Sequence, residues 1–240
     1  NIESQNRLGN CYFNGDIIEP DFEKACHYYT LAADNGYASS QSNLGVLFYD
    51  GYLGKPDYKK AFKYFKLAAE QEKSYAQFRL AELYYKGLGT SKNLNKAVYW
   101  FERAAQNGQD RAMLCLSYLY FTGKIVEKDK KKAEELKTQA TESTRYDFNE
   151  YKKKLYILFE LDAKDAATFL AGLPAHTYDI KITGDLTKAS FTKICKTLKN
   201  NNVNVVSIDF SECELKAVPA ETFEYFMYLK KVILPDTVEV

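Results

Sequence analysis

The stretch Leu44–Arg79, LGVLFYDGYLGKPDYKKAFKYFKLAAEQEKSYAQFR, decides the fold, because its landmarks return at a fixed step of 36 residues on either side. Leu44 falls on Leu8, Leu80 and Leu116, and the next position holds Gly45, Gly9, Ala81 and Ser117. Gly51 falls on Gly15, Gly87 and Gly123, Ala61 on Ala25, Ala97 and Ala133, and Ala68 on Ala32, Ala104 and Ala140. A period in this range, held without slippage, marks a solenoid of stacked supersecondary units. Each unit buries its apolar face against the next.

Inside one unit the pattern is helical twice. Over Ser74–Lys86 the apolar residues Tyr75, Ala76, Leu80, Leu83 and Tyr84 keep the spacing of an amphipathic helix. Gly87 stops it, and Gly89 with Thr90–Ser91–Lys92 makes a loop. A second helix is expected from about Asn93 to Gln106, with Ala97, Trp100, Phe101, Ala104 and Ala105 on one stripe, before Asn107–Gly108 turns the chain. Small residues at Gly45 or Ala81 and at Ala61 or Ala97 let the helices approach. The columns Tyr12, Phe48, Tyr84, Tyr120 and Tyr28, Tyr64, Trp100, Leu136 fill the adjoining holes.

The motifs A-x-x-x-L-G-x-x-Y-x-x-G and D-x-x-K-A-x-x-Y/W-Y/F-x-x-A-A-x-x-G, cleanest in Ala76–Gly108, resemble the Sel-one-like repeat, a relative of the tetratricopeptide repeat. Four units are covered, roughly residues 1–141. In the last, Leu136–Lys137 replaces the aromatic pair and Thr141 the second alanine, as suits a terminal unit. The resemblance implies an α-α superhelix, a right-handed solenoid of helix pairs. Some bacterial relatives staple each unit with a repeated cysteine pair and have been linked to handling β-lactams. Cys11, Cys26, Cys115, Cys195 and Cys213 show no such regular pairing, which argues against that subgroup. Cys11 stands where other units carry Leu47, Leu83 and Leu119, a buried apolar place; free thiols or a Cys11–Cys26 bridge both fit.

From Glu142 the repeat register is lost. Arg145–Leu161 reads as a helix, and Asp162 as the N-cap of a short helix through Leu170, ended at Gly172–Leu173–Pro174. Residues 142–175 are thus expected to be a helical cap and junction. The period then changes: Tyr178, Ile180 and Ile182 alternate as a strand, Gly184–Asp185 turns, and Lys188–Lys199 is an amphipathic helix. Val203–Phe210 is a second strand, and a short helix lies around Thr222–Phe226. The segments I-D-F-S-E-C-E-L at 208–215 and L-K-K-V-I-L-P-D-T-V at 229–238 resemble a leucine-rich repeat of the BspA-like surface-antigen type. This implies a small α/β leucine-rich-repeat segment over residues 176–240. The polar start at Asn1, already on the lattice, and the stop at Val240 within a further repeat read as a fragment of a longer protein.

Composition narrows the function classes. Thirty-three Lys and Arg against 32 Asp and Glu give a net charge of +1, with no global pull toward nucleic acid or an anionic membrane. No apolar run of 18 residues exists to span a bilayer. Two histidines, His27 and His176, leave no histidine-rich metal site. Lys128–Lys132 and Lys152–Lys154 have acidic neighbours and read as solvated faces. No G-x-S-x-G, phosphate-cradling glycine loop, H-E-x-x-H or C-x-x-C appears. Gly87–Leu88–Gly89–Thr90 joins two helices, lacks the lysine–serine pair, and recurs at Gly51–Tyr52–Leu53–Gly54, so it is a turn. No catalytic residue, cofactor or metal ligand is expected.

The resemblance implies instead a protein or peptide partner held by the first helix of each unit, the helix that lines the groove in tetratricopeptide-like solenoids. There the aromatic ladder Phe13, Tyr49, Tyr85 and Phe121 runs one ring per unit. It is flanked by Asn10, Val46, Glu82 and Tyr118, and by Asn14, Asp50, Lys86 and Thr122. These aromatics read either as anchors of a peptide groove or as packing between units. A scaffold is the expected function. A cell-wall-active hydrolase and a purely structural spacer are the alternatives.

Overall fold

A computed structural model describes residues 1–15, 19–143, 158–171, 177–185, 187–200, 204–214 and 231–233. The chain divides into two units, Asn1–Leu116 and Ser117–Val240.

The first unit is a stack of helix pairs: α1 (Ile2–Asn14) with α2 (Phe22–Asp34), α3 (Ala38–Asp50) with α4 (Tyr58–Glu70), and α5 (Ser74–Lys86) with α6 (Leu94–Gln106). The start of α7 (Asp110–Thr122) follows. The repeated residues explain the repeated geometry. Gly51 ends α3 at φ 72°, a left-handed turn that only glycine makes without strain, and its N–H donates to the Leu47 carbonyl. Asp21, Asp57 and Asn93 then cap α2, α4 and α6, each accepting from the backbone N–H three residues on at 2.9, 3.0 and 2.9 Å. Their own N–H groups donate to Tyr12, Phe48 and Tyr84 carbonyls near the ends of α1, α3 and α5, tying the paired helices together. Gly9 and Gly45 allow the close approach: a Cβ on Gly45 would sit 2.5 Å from the Phe65 ring, and one on Gly9 2.5 Å from Tyr29. Tyr12 stacks on Tyr28 at 5.6 Å, and Phe48 on Tyr64 at 5.8 Å.

Pairs are welded across the unit boundary. Ala25, Tyr29 and Ala33 of α2 form one buried cluster with Leu44 and Leu47 of α3. Each such leucine, fully buried, contributes about 2 kcal/mol of apolar transfer free energy. Glu72 stands where the other units have Gly36 and Gly108, and it too is left-handed, at φ 62°. Its carboxylate accepts from Gln77 at 3.0 Å, Asn107 at 2.8 Å and Arg103, which fixes a turn that a non-glycine residue would otherwise resist. Cys11, Cys26, Cys115 and Cys195 are free thiols, so no Cys11–Cys26 bridge forms.

The second unit holds the end of α7, then α8 (Lys130–Ser143), β1 (Leu158–Asp162), α9 (Ala163–Leu170), β2 (Thr177–Asp185), α10 (Lys188–Asn200), β3 (Asn204–Glu214) and β4 (Lys231–Ile233). The four strands form one parallel sheet in chain order. Two expectations are corrected here. Residues 158–161 are strand, not the end of a helix from Arg145, so the stretch 142–175 is not wholly helical. A short apolar run such as Leu158–Phe159–Glu160–Leu161 has no decisive period of its own, and parallel pairing with Asp179–Ile182 settles it. Gly184–Asp185 lies within β2, held by pairing to Cys213–Glu214, rather than forming a turn. The helix expected near Thr222–Phe226, residues 144–157 and the segment 234–238 lie outside the described residues.

The sheet also lacks a constant repeat. Leu158 pairs with Asp179, Asp179 with Ser207 and Ser207 with Lys231, steps of 21, 28 and 24 residues, with register shifts inside the β2–β3 pairing.

Candidate functional site

Each first helix of the stack presents the same columns, so side chains from successive helices meet. In the first pair of units the meeting is of neutral polar groups. Asn10 accepts from the Tyr29 hydroxyl at 2.8 Å and from the Asn43 amide at 3.1 Å, while the buried Asn6 accepts from Ser40 at 2.9 Å. One step along, the meeting is charged and aromatic. Arg79 of α5 donates to Glu82 at 2.8 Å and to the Tyr75 hydroxyl at 2.9 Å. Its guanidinium lies 4.8 Å from the centre of the Tyr49 ring, on α3, and 5.2 Å from that of Tyr75. Lys86 reaches Glu82 from the other side at 3.5 Å. Arg111, at the start of α7, stands over the Phe78 ring at 5.9 Å and close enough to Arg79 for their charges to oppose each other.

Burial makes these interactions matter: the side chains of Arg79 and Glu82 are 15% and 12% exposed. Burial opposes the charge on Glu82, yet Arg79 and Lys86 outweigh it and hold the carboxyl below its ordinary value. Burial lifts the Tyr49 phenol, with Glu82 adding to the effect, and partial desolvation of its carboxyl lifts Asp50 above the usual aspartate range although much of that residue stays exposed. Burial pushes the Cys115 thiol well up, with Glu82 contributing. Among the described residues no three His, Cys, Asp or Glu side chains converge as metal ligands. The cluster can hold and orient; no base–nucleophile pair is assembled in it.

The residues expected from sequence fall as follows. All four ladder rings are half-buried. Phe13 packs on Phe22 at 5.7 Å and on Tyr52 of the next unit at 5.1 Å. Tyr49 packs edge-on to Tyr58 at 5.5 Å and Phe65 at 6.3 Å, beneath Arg79. Tyr85 has the Lys92 ammonium 5.8 Å from its centre. In the second unit Phe121 meets Phe169 at 5.6 Å. Phe13 and Tyr49 therefore share in packing against the next repeat, and all four rings remain partly exposed. Of the flanking residues, Asn10, Glu82 and Lys86 join the polar contacts above and Val46 is half-buried. Asn14 and Asp50 are exposed, and the Thr122 hydroxyl turns back on its own helix, donating to Tyr118 O at 2.9 Å. Tyr118 is 5% exposed and packs on Phe169 at 5.5 Å, so it offers no surface to a partner. Sequence reasoning missed Tyr75, Arg79 and Arg111. Their signal was available: they stand one and two turns before the Glu82 column, on the same helical face.

Comparison with known families matches the Sel1 repeat at residues 2–37, 38–73, 74–109 and 111–143. The chain belongs to the Sel1 repeat family. The chain is also similar to solved structures. One is c5321, a protective antigen of uropathogenic Escherichia coli strains with the SLR fold: 30% identity over 59% of this chain and 30% of that one, TM-score 0.57. Another is a Sel1 repeat protein from Oxalobacter formigenes: 34% identity over 59% of this chain and 58% of that one, TM-score 0.54. The chain thus spans less than two thirds of either relative. No curated protein matches it. The family match stops at residue 143, and the leucine-rich repeat expected over 176–240 receives no support. Sel1 repeats are generally scaffolds for protein interaction. No helix among the described residues is long and apolar enough to cross a membrane.

Proposed function

We propose that the Sel1 repeats of this chain form a non-enzymatic scaffold that binds a peptide segment of a partner protein along the first-helix face. The observation that carries this reading is the cluster drawn from three successive first helices: Tyr49 and Asp50, then Tyr75, Arg79, Glu82 and Lys86, then Arg111. Rings fixed by neighbouring guanidinium groups lose little freedom on binding, which is the property of good anchors. Charged groups of both signs beside them select by register rather than by bulk attraction. Tyr49 and Tyr85 supply the anchor edges, and Asp50 and Lys86 the polar contacts.

The test is selection of binding peptides from a random library displayed on phage, with the parent chain as bait. Selected peptides are then titrated against Tyr49→Ala, Tyr85→Ala double variants. Because both rings are half-buried, circular dichroism must first show the double variant folded. Peptides that bind the parent and lose at least about tenfold in affinity, roughly 1.4 kcal/mol, on the folded double variant support the groove. A double variant that unfolds makes the ladder core, and unchanged affinity moves binding to another surface.

A further inference from the structure

Two carboxamides on the first-helix face each turn one polar group to solvent. The Asn10 oxygen on α1 accepts from the Tyr29 hydroxyl at 2.8 Å and from the Asn43 amide on α3 at 3.1 Å. The same Asn43 amide lies 3.5 Å from the Asn6 oxygen, which Ser40 holds at 2.9 Å. These contacts fix which way both carboxamides are turned, because an amide oxygen accepts and its nitrogen donates. What remains is the Asn10 nitrogen, a donor, and the Asn43 oxygen, an acceptor. Neither meets a partner among the described residues, and both are open to water.

The repeat places this pair on the same face as the charged cluster. Asn43 stands one step before Arg79, and Asn10 two steps before Glu82. The columns that carry ions in the third repeat thus carry neutral amides in the first two. A neutral amide has no counter-ion to attract, so what it recognises is a matched acceptor or donor. A donor and an acceptor side by side match main chain. In an extended peptide the N–H and C=O of one residue point to the same edge and are open to a partner, whereas in an α-helix they are bonded to one another along the chain.

We propose that Asn10 and Asn43 form a main-chain subsite for an extended peptide. The Asn10 amide donates to a backbone carbonyl of the partner segment, and the Asn43 oxygen accepts from a backbone N–H. The inference rests on the peptide-groove reading and deepens it. The amide end of the face holds the segment whatever its side chains, while Tyr49, Tyr85 and the charged cluster select its sequence. A helical ligand has no backbone group to offer at this end.

The probes are the peptides selected on the parent chain by phage display. Each is resynthesised with every backbone N–H in turn replaced by N-methyl and, separately, with every residue replaced by alanine. At one position N-methylation should weaken binding at least about fivefold, while alanine there changes it less than about twofold. On Asn43→Leu, shown folded by circular dichroism, that N-methyl penalty should vanish. NMR of the peptide bound to the parent, which needs no variant to fold, should show the strong sequential Hα–HN contacts of an extended chain. A penalty that survives Asn43→Leu, a peptide that binds as a helix, or a peptide with no position sensitive to N-methylation alone overturns the proposal. If such a peptide still loses affinity on the folded Tyr49→Ala, Tyr85→Ala variant, the groove stands and only the main-chain subsite falls. If it binds that variant unchanged, or if no peptide binds the parent, the groove falls with it.

Discussion

At the scale of the residue, the most consequential group is Glu82. It lies between Arg79 and Lys86 with its side chain 12% exposed, and removing one partner of such a buried set leaves the others uncompensated. Glu82→Gln should cost about 2–3 kcal/mol in urea unfolding at pH 7. The pH dependence follows from the sign of the shift. The folded carboxyl titrates below its ordinary value of 4.5, so its stabilisation is complete above that value and disappears as pH falls through the folded one. The gap between parent and variant should therefore narrow as pH falls below 4.5 and close once it passes the folded carboxyl's own, lower value. A gap that persists unchanged into acid would assign the loss to packing and not to charge. Asp50 has the opposite sign: its raised value makes its charge a burden at neutral pH, relieved on acidification. The two carboxylates thus divide labour by surroundings, one sitting among cations and the other not hydrogen-bonded to any.

At the scale of the element, helix pairing depends on how closely two backbones come together. Gly45 faces Phe65, which is fully buried and has nowhere to retreat, and a Cβ there would sit 2.5 Å from the ring. Gly45→Val should destabilise by about 2–3 kcal/mol through overpacking, measured by thermal unfolding. A variant as stable as the parent would show that α4 can shift. Much of this level was legible in the sequence. Each first and second helix has landmarks repeated four times, and Gly51, Asp57 and Ala61 each dictate a local geometry that the neighbouring unit repeats. The elements that escaped are those fixed by distant partners. Leu158–Asp162 becomes strand only because β2 lies beside it, and nothing in five residues encodes that. Arg79 and Arg111 were legible as helix surface, but their convergence depends on stacking one helix upon another. The half-buried state of Tyr49 is likewise a property of two units, invisible in either alone.

At the scale of the whole molecule, charge balance constrains how a partner can arrive. A net charge of +1 produces little field beyond the Debye length of about 8 Å at physiological salt, so no long-range attraction gathers ligand from solution. The cluster on the first-helix face is itself nearly balanced, with Arg79, Lys86 and Arg111 set against Glu82 and Asp50. On the proposed groove, recognition acts after encounter, through ring edges and short-range hydrogen bonds, and so through the dissociation rate. A peptide selected on the parent chain should associate at about 10⁵–10⁶ M⁻¹s⁻¹, the range for unsteered binding. Raising NaCl from about 50 mM to about 500 mM should change that rate less than about threefold. Arg79→Ala should then act mainly on dissociation, shortening residence while leaving the association rate nearly in place. Stopped-flow fluorescence at several salt concentrations measures both. An association rate near 10⁸ M⁻¹s⁻¹ that collapses with salt would mean that the cationic members of the cluster dominate their carboxylates, and the face would then be an electrostatic trap for acidic segments in place of a register-reading groove.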